Sequence, residues 1–137
     1  MRGRIGPRVI RATVFKAASN ERWIDAKCLY EAGRYQGAIY LCGYALECEL
    51  KATLCAVRRV QSLEVREARK LGHELAHVLN AAGLGRKLKE NKDLQTAFYG
   101  IADRWSTAMR YSAEAGNERE CERFLRDSEA ILLWLKT

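Results

Sequence analysis

One stretch of the sequence, Gly37 to Val57, constrains the fold more than any other. Its first ten residues are apolar on every side of a helix, and the remainder is polar at only a few positions. A helix of this composition needs other helices to cover all of its faces. Small residues, among them Gly43, would let neighbouring backbones come close. The stretch therefore predicts a helix at the centre of a bundle.

The polar residues of this helix share one face, which we call the polar stripe. They follow one another at steps of four, three and four residues: Tyr40, Tyr44, Glu47 and Lys51. One interpretation is structural, because Glu47 and Lys51 are spaced for a helical ion pair and tyrosines often bury their rings. The other is functional, because a buried charge pair is costly to keep and such groups concentrate where a ligand is held. The spacing leaves both open.

Composition favours one all-α domain. A chain of 137 residues is long enough to bury a single core, and 48% hydrophobic with 30% charged residues is typical of a globular protein. There is no run of eighteen apolar residues, so we expect no membrane segment. Little strand-like alternation is visible. We predict a four- to five-helix antiparallel bundle around the central helix.

Glycines and polar segments divide the chain into five predicted helices. These are Glu21 to Ala32 with Ser19 or Asn20 as its cap, the central helix to about Val60, His73 to Ala82, Asp93 to Trp105, and Glu118 to Lys136. The short connection between the first two makes them antiparallel neighbours. We predict a loop with a helical turn over Ser62 to Lys70, a polar linker over Arg86 to Lys92, and irregular structure over Ser106 to Asn117.

The basic residues are concentrated at the start of the chain. Five of the seven net positive charges lie in the first sixteen residues: Arg2, Arg4, Arg8, Arg11 and Lys16. We therefore divide the chain into a basic N-terminal arm, residues 1–17, and a helical domain, residues 18–137. The arm could attract nucleic acid or an anionic surface, or it could be a solvated or presequence-like leader. No apolar segment follows it, so we expect no secretory signal.

The cysteines indicate a reducing compartment. There are five, an odd number without a CxxC pair, and three of them lie in the central helix, where a thiol acts as a small hydrophobic group. Disulfides and a thiolate zinc site are not expected. We predict a cytoplasmic protein without a cofactor.

Four segments together resemble one known family. The run GRYQGAIYLCGYALECELKA, residues 33–52, is similar to the central signature of HEPN domains, the helical nucleotide-binding domains of prokaryotes and higher eukaryotes. GHEL at 72–75, WSTAMRY at 105–111 and ILLWL at 131–135 follow in the family's order. The resemblance covers about residues 20–136. It implies a bundle of four or five helices, frequently a homodimer, that binds nucleotide or RNA or pairs with a small nucleotidyltransferase.

The resemblance also implies where a nucleotide would bind. The pocket would consist of Tyr40, Tyr44, Glu47, Lys51, Arg110 and Tyr111. The lysine and the arginine would take phosphate, and aromatic rings, including that of Trp105, would stack on a base. Arg110 and Tyr111 could instead satisfy the carbonyl groups at a helix end. A pure interaction protein, which needs no polar pocket, is a further alternative.

Some members of the family are toxin ribonucleases, and this gives an enzymatic alternative. In them an arginine, four to six residues and a histidine form a composite site across the dimer. Arg66 and His73 have this spacing, with six residues between them. Arg66 would stabilise the charge of the phosphorane and His73 would transfer a proton, without metal. The residue after the arginine, Glu67, departs from the family, which usually has a neutral or short polar residue there.

A zinc motif overlaps the same segment. Residues 73–77 spell HExxH, which on a helix would turn His73 and His77 to one side with Glu74 as general base of a metalloprotease. A catalytic zinc needs a third protein ligand. The donors available, none in a recognisable context, are Glu90, Glu114 and Glu118. We therefore expect no metal, and two histidines on a partly exposed helix face.

Overall fold

A computed structural model describes residues 8–137. Over these residues the chain forms seven α-helices and one short two-stranded sheet. The elements are β1 (Val9–Arg11), α1 (Ala12–Glu31), α2 (Tyr35–Arg58), β2 (Ser62–Glu64), α3 (Val65–Leu71), α4 (Leu75–Ala81), α5 (Gly85–Lys89), α6 (Lys92–Arg104), a 3-10 turn (Thr107–Tyr111) and α7 (Glu118–Leu135). The predicted all-α bundle is confirmed.

Helix α2 is the centre of the bundle, as its composition predicts. It packs along α1 and also contacts α4 and α7. Ile39, Leu46 and Leu50 are completely buried on it, so it is covered from several directions. The helix ends at Arg58, because Arg59 adopts the left-handed conformation with φ of 58°.

Helix α1 begins much earlier than the predicted start at Glu21, and that prediction is wrong. It starts at Ala12, directly after β1, whose Ile10 is paired with Leu63 of β2. Ser19 is buried inside the helix, where its hydroxyl donates to the carbonyl oxygen of Ala45 at 2.8 Å instead of capping a helix end. Residues 8–17 of the predicted basic arm thus lie in or next to β1 and α1, and residues 1–7 of that arm lie outside the described residues.

The middle of the chain is more regular than we predicted. The predicted loop over Ser62 to Lys70 contains β2 and α3, and the predicted linker after Arg86 contains part of α5. Both departures are explained by burial, since Leu63 and Leu88 are at most 2% exposed and anchor these short elements to the core. Helices α6 and α7 match their predicted ranges to within one residue at each end. None of the helices over residues 8–137 has the length and apolar composition needed to cross a membrane.

Candidate functional site

The last two residues of the polar stripe of α2 form a buried ion pair. Lys51 Nζ donates to Glu47 Oε2 at 2.8 Å, and the two side chains are 6% and 7% exposed. The same nitrogen lies 3.4 Å from the carbonyl oxygen of Ala68 on α3. Lys51 therefore points into the fold, where Glu47 balances its charge. A direct contact between Lys51 and phosphate, which we expected, does not fit this placement.

The second oxygen of Glu47 holds His73. Glu47 Oε1 lies 2.9 Å from His73 Nδ1, and the histidine side chain is 55% exposed. An ionised carboxylate only accepts hydrogen bonds, so Nδ1 carries the proton in this contact. The other ring nitrogen, Nε2, takes no part in this contact. Glu47 thus connects a buried cation with an exposed imidazole.

The aromatic ring of Tyr44 packs against this histidine. The hydroxyl groups of Tyr40 and Tyr44 are 3.2 Å apart. The ring of Tyr44 meets those of His73 and Trp105 edge to face, with centroid separations of 5.9 and 5.1 Å. Burial, and then the hydrogen bond with Tyr40, raises the pKa of Tyr44 well above its usual value. Tyr44 therefore stays neutral. Together with Tyr40 and Trp105 it forms a packed group that we call the aromatic wall.

Trp105 fixes the position of this wall. Its indole Nε1 donates to the carbonyl oxygen of Tyr40 at 2.9 Å, and the side chain is buried. The indole crosses α2 at Gly43, where a Cβ would lie only 2.0 Å from Nε1. Glycine is therefore required at this position for the tryptophan to reach α2.

Arg110 and Tyr111 lie at the open edge of this group, at the end of the 3-10 turn. Tyr111 is 79% exposed, and the guanidinium carbon of Arg110 is 5.1 Å from the centroid of its ring. A hydrogen bond with Tyr111 is the main cause that raises the pKa of Arg110 above its usual value. Arg110 and Tyr40 line the same cleft. The structure thus brings Arg110 to the stripe, with its charge at the surface.

The structure does not pair Arg66 with His73. Arg66 is exposed on the first turn of α3, and His73 follows that helix after Gly72. Among residues 8–137, no hydrogen bond or ion pair joins the two side chains. Glu67, the unusual neighbour of Arg66, forms an ion pair with Arg58. A composite Arg66–His73 site across a dimer stays a prediction.

The HExxH segment does not form a helical zinc motif. His73 and Glu74 precede α4, which starts at Leu75, so His73 and His77 are not two positions of one helix. Within the described part of the chain, no three His, Cys, Asp or Glu side chains lie close enough together to hold a metal ion.

Two surface clefts adjoin the site, and their outlines were not predicted from the sequence, although Tyr40 and Arg110 were predicted as pocket residues. The first, which we call the arginine cleft, has a volume of about 550 Å³. It is lined by Leu29, Gly33, Arg34, Gln36, Gly37, Tyr40, Met109, Arg110, Ser112, Ala113, Glu114 and Ala115. The second, the acidic cleft, has about 680 Å³ and is lined by His73, Glu74, Leu75, Ala76, Tyr99, Ala102, Asp103, Trp105, Ser106 and Thr107. No spacing in the sequence indicates that Arg34 and Arg110 line one cleft.

Comparison with known proteins agrees with the architecture. The family model for the HEPN domain matches residues 14–137. The chain belongs to the HEPN domain family. The crystal structure of an archaeal HEPN homologue is similar with a TM-score of 0.62, over 93% of this chain and 96% of that chain at 15% sequence identity, which shows a shared fold. No curated protein matches this HEPN chain in sequence.

Proposed function

We propose that this HEPN domain is a nucleotide- or RNA-binding module. The observation that carries the proposal is the exposed Arg110–Tyr111 pair beside the ordered aromatic wall. A ring with an open face can stack on any base, and an adjacent guanidinium can bind the phosphate that follows it. In this proposal Arg110 and Tyr111 touch the ligand.

The polar stripe has a supporting role in the proposed site. Tyr40 lines the arginine cleft directly, while Tyr44 packs behind it and positions His73 and Trp105. The Glu47–Lys51 pair is buried, so it acts indirectly, by positioning His73 through Glu47. This assignment replaces the expected phosphate contact of Lys51.

Three further features belong to the proposal through the family resemblance. We propose that the domain works in the cytoplasm, that it forms a homodimer, and that it acts with a protein partner such as a small nucleotidyltransferase. Sedimentation of the purified chain tests the dimer, with a mass of about twice 15.6 kDa expected and the monomer mass as the contradicting result.

Binding is tested by fluorescence anisotropy of a labelled single-stranded oligoribonucleotide. Loss of one stacked base costs about 1–3 kcal/mol, so Tyr111→Leu should weaken binding by about fivefold or more. Arg110→Gln should weaken it by a similar factor. Arg86→Gln on α5 is the matched control, because Arg86 is also exposed but lines neither of the two clefts. If the wild-type protein does not bind, or both site variants bind as it does, the proposal is wrong and a pure interaction protein is favoured.

One observation supports a second candidate function, a metal-independent ribonuclease. The Glu47–His73 contact orients an exposed imidazole as a general acid or base requires. Arg66 of the other protomer would stabilise the phosphorane charge. RNA cleavage in the presence of EDTA should then be lost in His73→Ala and strongly reduced in Arg66→Gln. Cleavage that persists in His73→Ala, or no cleavage by the wild-type protein, would contradict this candidate.

A further inference from the structure

The arginine cleft is a preformed site with fixed walls. The guanidinium of Arg104 donates to Gln36 Oε1 and to Glu120 Oε1, each at 3.0 Å, and so holds one wall. The backbone N–H of Gln36 donates to the carbonyl oxygen of Ala115 at 2.9 Å, which fastens the loop that forms the other wall. At Gly116, with φ of 89°, a Cβ would come within 2.8 Å of the Gln36 nitrogen. The loop therefore lies against the start of α2 without room for a larger residue.

The charges in this cleft are unbalanced. Arg34 and Arg110 are both exposed, and neither takes part in an ion pair among residues 8–137. Arg22, Arg58 and Arg104 are paired with carboxylates. Other arginines of residues 8–137, such as Arg66 and Arg86, also lack an ion pair, and what distinguishes Arg34 and Arg110 is that they line one cleft together. Among the described residues, Glu114 is the only acid that lines the cleft. Two guanidinium groups in a concave polar site are suited to phosphate, which each can bind through two parallel hydrogen bonds.

The acidic cleft on the other side of the aromatic wall has the opposite character. Its charged lining residues, apart from His73, are Glu74 and Asp103, and no lysine or arginine of residues 8–137 lines it. Within the single chain these carboxylates disfavour a phosphate group there, and the ribonuclease candidate would need Arg66 of the other protomer to offset them. The electrostatics of the two clefts thus distinguish where the phosphate of a nucleotide can lie.

We propose that the arginine cleft is the phosphate subsite of this domain and that Arg34 is a phosphate-binding residue in it. The inference rests on the proposed nucleotide or RNA binding, and it adds the orientation of the bound nucleotide. Phosphate lies between Arg34 and Arg110, and the base reaches toward the rings of Tyr40 and Tyr111. The phosphate is either the terminal group of a 5′-phosphorylated end or a phosphodiester within the strand.

Salt-dependent anisotropy with a 3′-labelled oligoribonucleotide tests the subsite. Arg34→Gln should weaken binding about tenfold, because a charge-assisted hydrogen bond is lost. The slope of log K against log salt should fall by about 0.7, the value for one phosphate contact on a single strand. Arg86→Gln should leave affinity and slope unchanged. Arg34 makes no side-chain cap hydrogen bond, so this variant should fold normally.

The same RNA with and without a 5′-phosphate distinguishes the two sources of phosphate. If the terminal group is bound, removal of it should weaken wild-type binding as much as Arg34→Gln does. If a phosphodiester is bound, Arg34→Gln should weaken both RNAs equally. Wild-type affinity and slope in Arg34→Gln, with binding still weakened in Tyr111→Leu, would overturn the subsite but not the proposed function. Absence of RNA binding by the wild-type protein would overturn both.

Discussion

The polar stripe and the arginine cleft both carry charge close to the same aromatic wall, but they differ in how that charge is balanced. Lys51 in the stripe is buried and paired with Glu47. Arg34 and Arg110 in the cleft are exposed and unpaired among the described residues. A paired, desolvated charge can order its neighbours, whereas an unpaired charge at the surface can bind a ligand. In our proposal the stripe therefore positions neighbouring residues and the cleft binds the ligand.

The largest predicted effect is on the stripe. Lys51→Met leaves Glu47 buried without its cation, which should lower the free energy of unfolding by about 3–5 kcal/mol. The double variant Lys51→Met with Glu47→Leu should be close to wild type, because both charges are removed. Urea unfolding measures both. A double variant as unstable as the single one would show that the loss of stability does not come from an unpaired Glu47. In the cleft, Arg34→Gln should change stability by less than about 0.5 kcal/mol.

The contact between Trp105 and Gly43 of α2 should affect stability nearly as much. Gly43→Ala places a methyl group inside the Trp105 indole, and such overpacking costs about 1–3 kcal/mol. The near-ultraviolet circular dichroism of the tryptophan should change as well. The matched control is Gly100→Ala in α6, where a Cβ would meet no atom within 4 Å. Alanine there should raise stability by about 0.5–1 kcal/mol. Equal effects of the two substitutions would contradict the assigned contact.

The buried side of α2 should also make stability depend on alkaline pH. Burial raises the pKa of Cys42 to about 12 and that of Cys48 to about 11, from an ordinary value of 9.0. Between these values the folded chain keeps protons that the unfolded chain releases. The contribution of these thiols to the free energy of unfolding is therefore fully present below pH 9. It falls as the pH rises, with a slope of up to about 1.4 kcal/mol per pH unit for each thiol. Urea unfolding from pH 7.5 to 10.5 tests this, and Cys48→Ala should make the decline shallower. A stability that rises over this range would contradict it.

The smallest predicted effect concerns the link between Arg104 and Glu120, which braces the arginine cleft. The hydrogen bond from Arg104 is the main cause that lowers the pKa of Glu120 below 4.5. This group contributes stability above that pH, and the contribution is lost as the pH falls through the folded-state pKa. Glu120→Gln should reduce the loss of stability between pH 5 and pH 3 slightly. An unchanged acid profile would show that this surface pair contributes nothing.

The architecture could be predicted wherever the apolar pattern of a helix face repeats over many residues. Helix α2 is apolar on several sides, and α6 and α7 have regular apolar positions, so their bounds were close to correct. The start of α1 was missed because Ser19 resembles a cap, whereas its hydroxyl bonds to Ala45 across the bundle. The short strands depend on pairing between segments more than fifty residues apart, which no local pattern reveals.

Helical spacing could predict the candidate site only within α2, and Arg110 and Tyr111 were added through the WSTAMRY segment. Helical spacing correctly placed Glu47 beside Lys51, but it could not show that the pair is buried or that its other partner is His73. That contact joins residues 26 apart in the chain. Arg34 was missed for the same reason, since it lines one cleft with Arg110 only through the packing of the loop after the 3-10 turn against α2. Tertiary packing, not local sequence, determines these contacts.

The most direct test asks which charges contact phosphate. It measures the salt dependence of RNA binding for two double variants. Arg34→Gln with Arg110→Gln should lose about two phosphate contacts, which lowers the salt slope by about 1.4. Lys51→Met with Glu47→Leu should keep the wild-type slope, because Lys51 is buried against Glu47. Thermal melts confirm that both variants are folded. A reduced slope in the lysine–glutamate variant together with a wild-type slope in the arginine variant would contradict the account and restore Lys51 as the phosphate ligand.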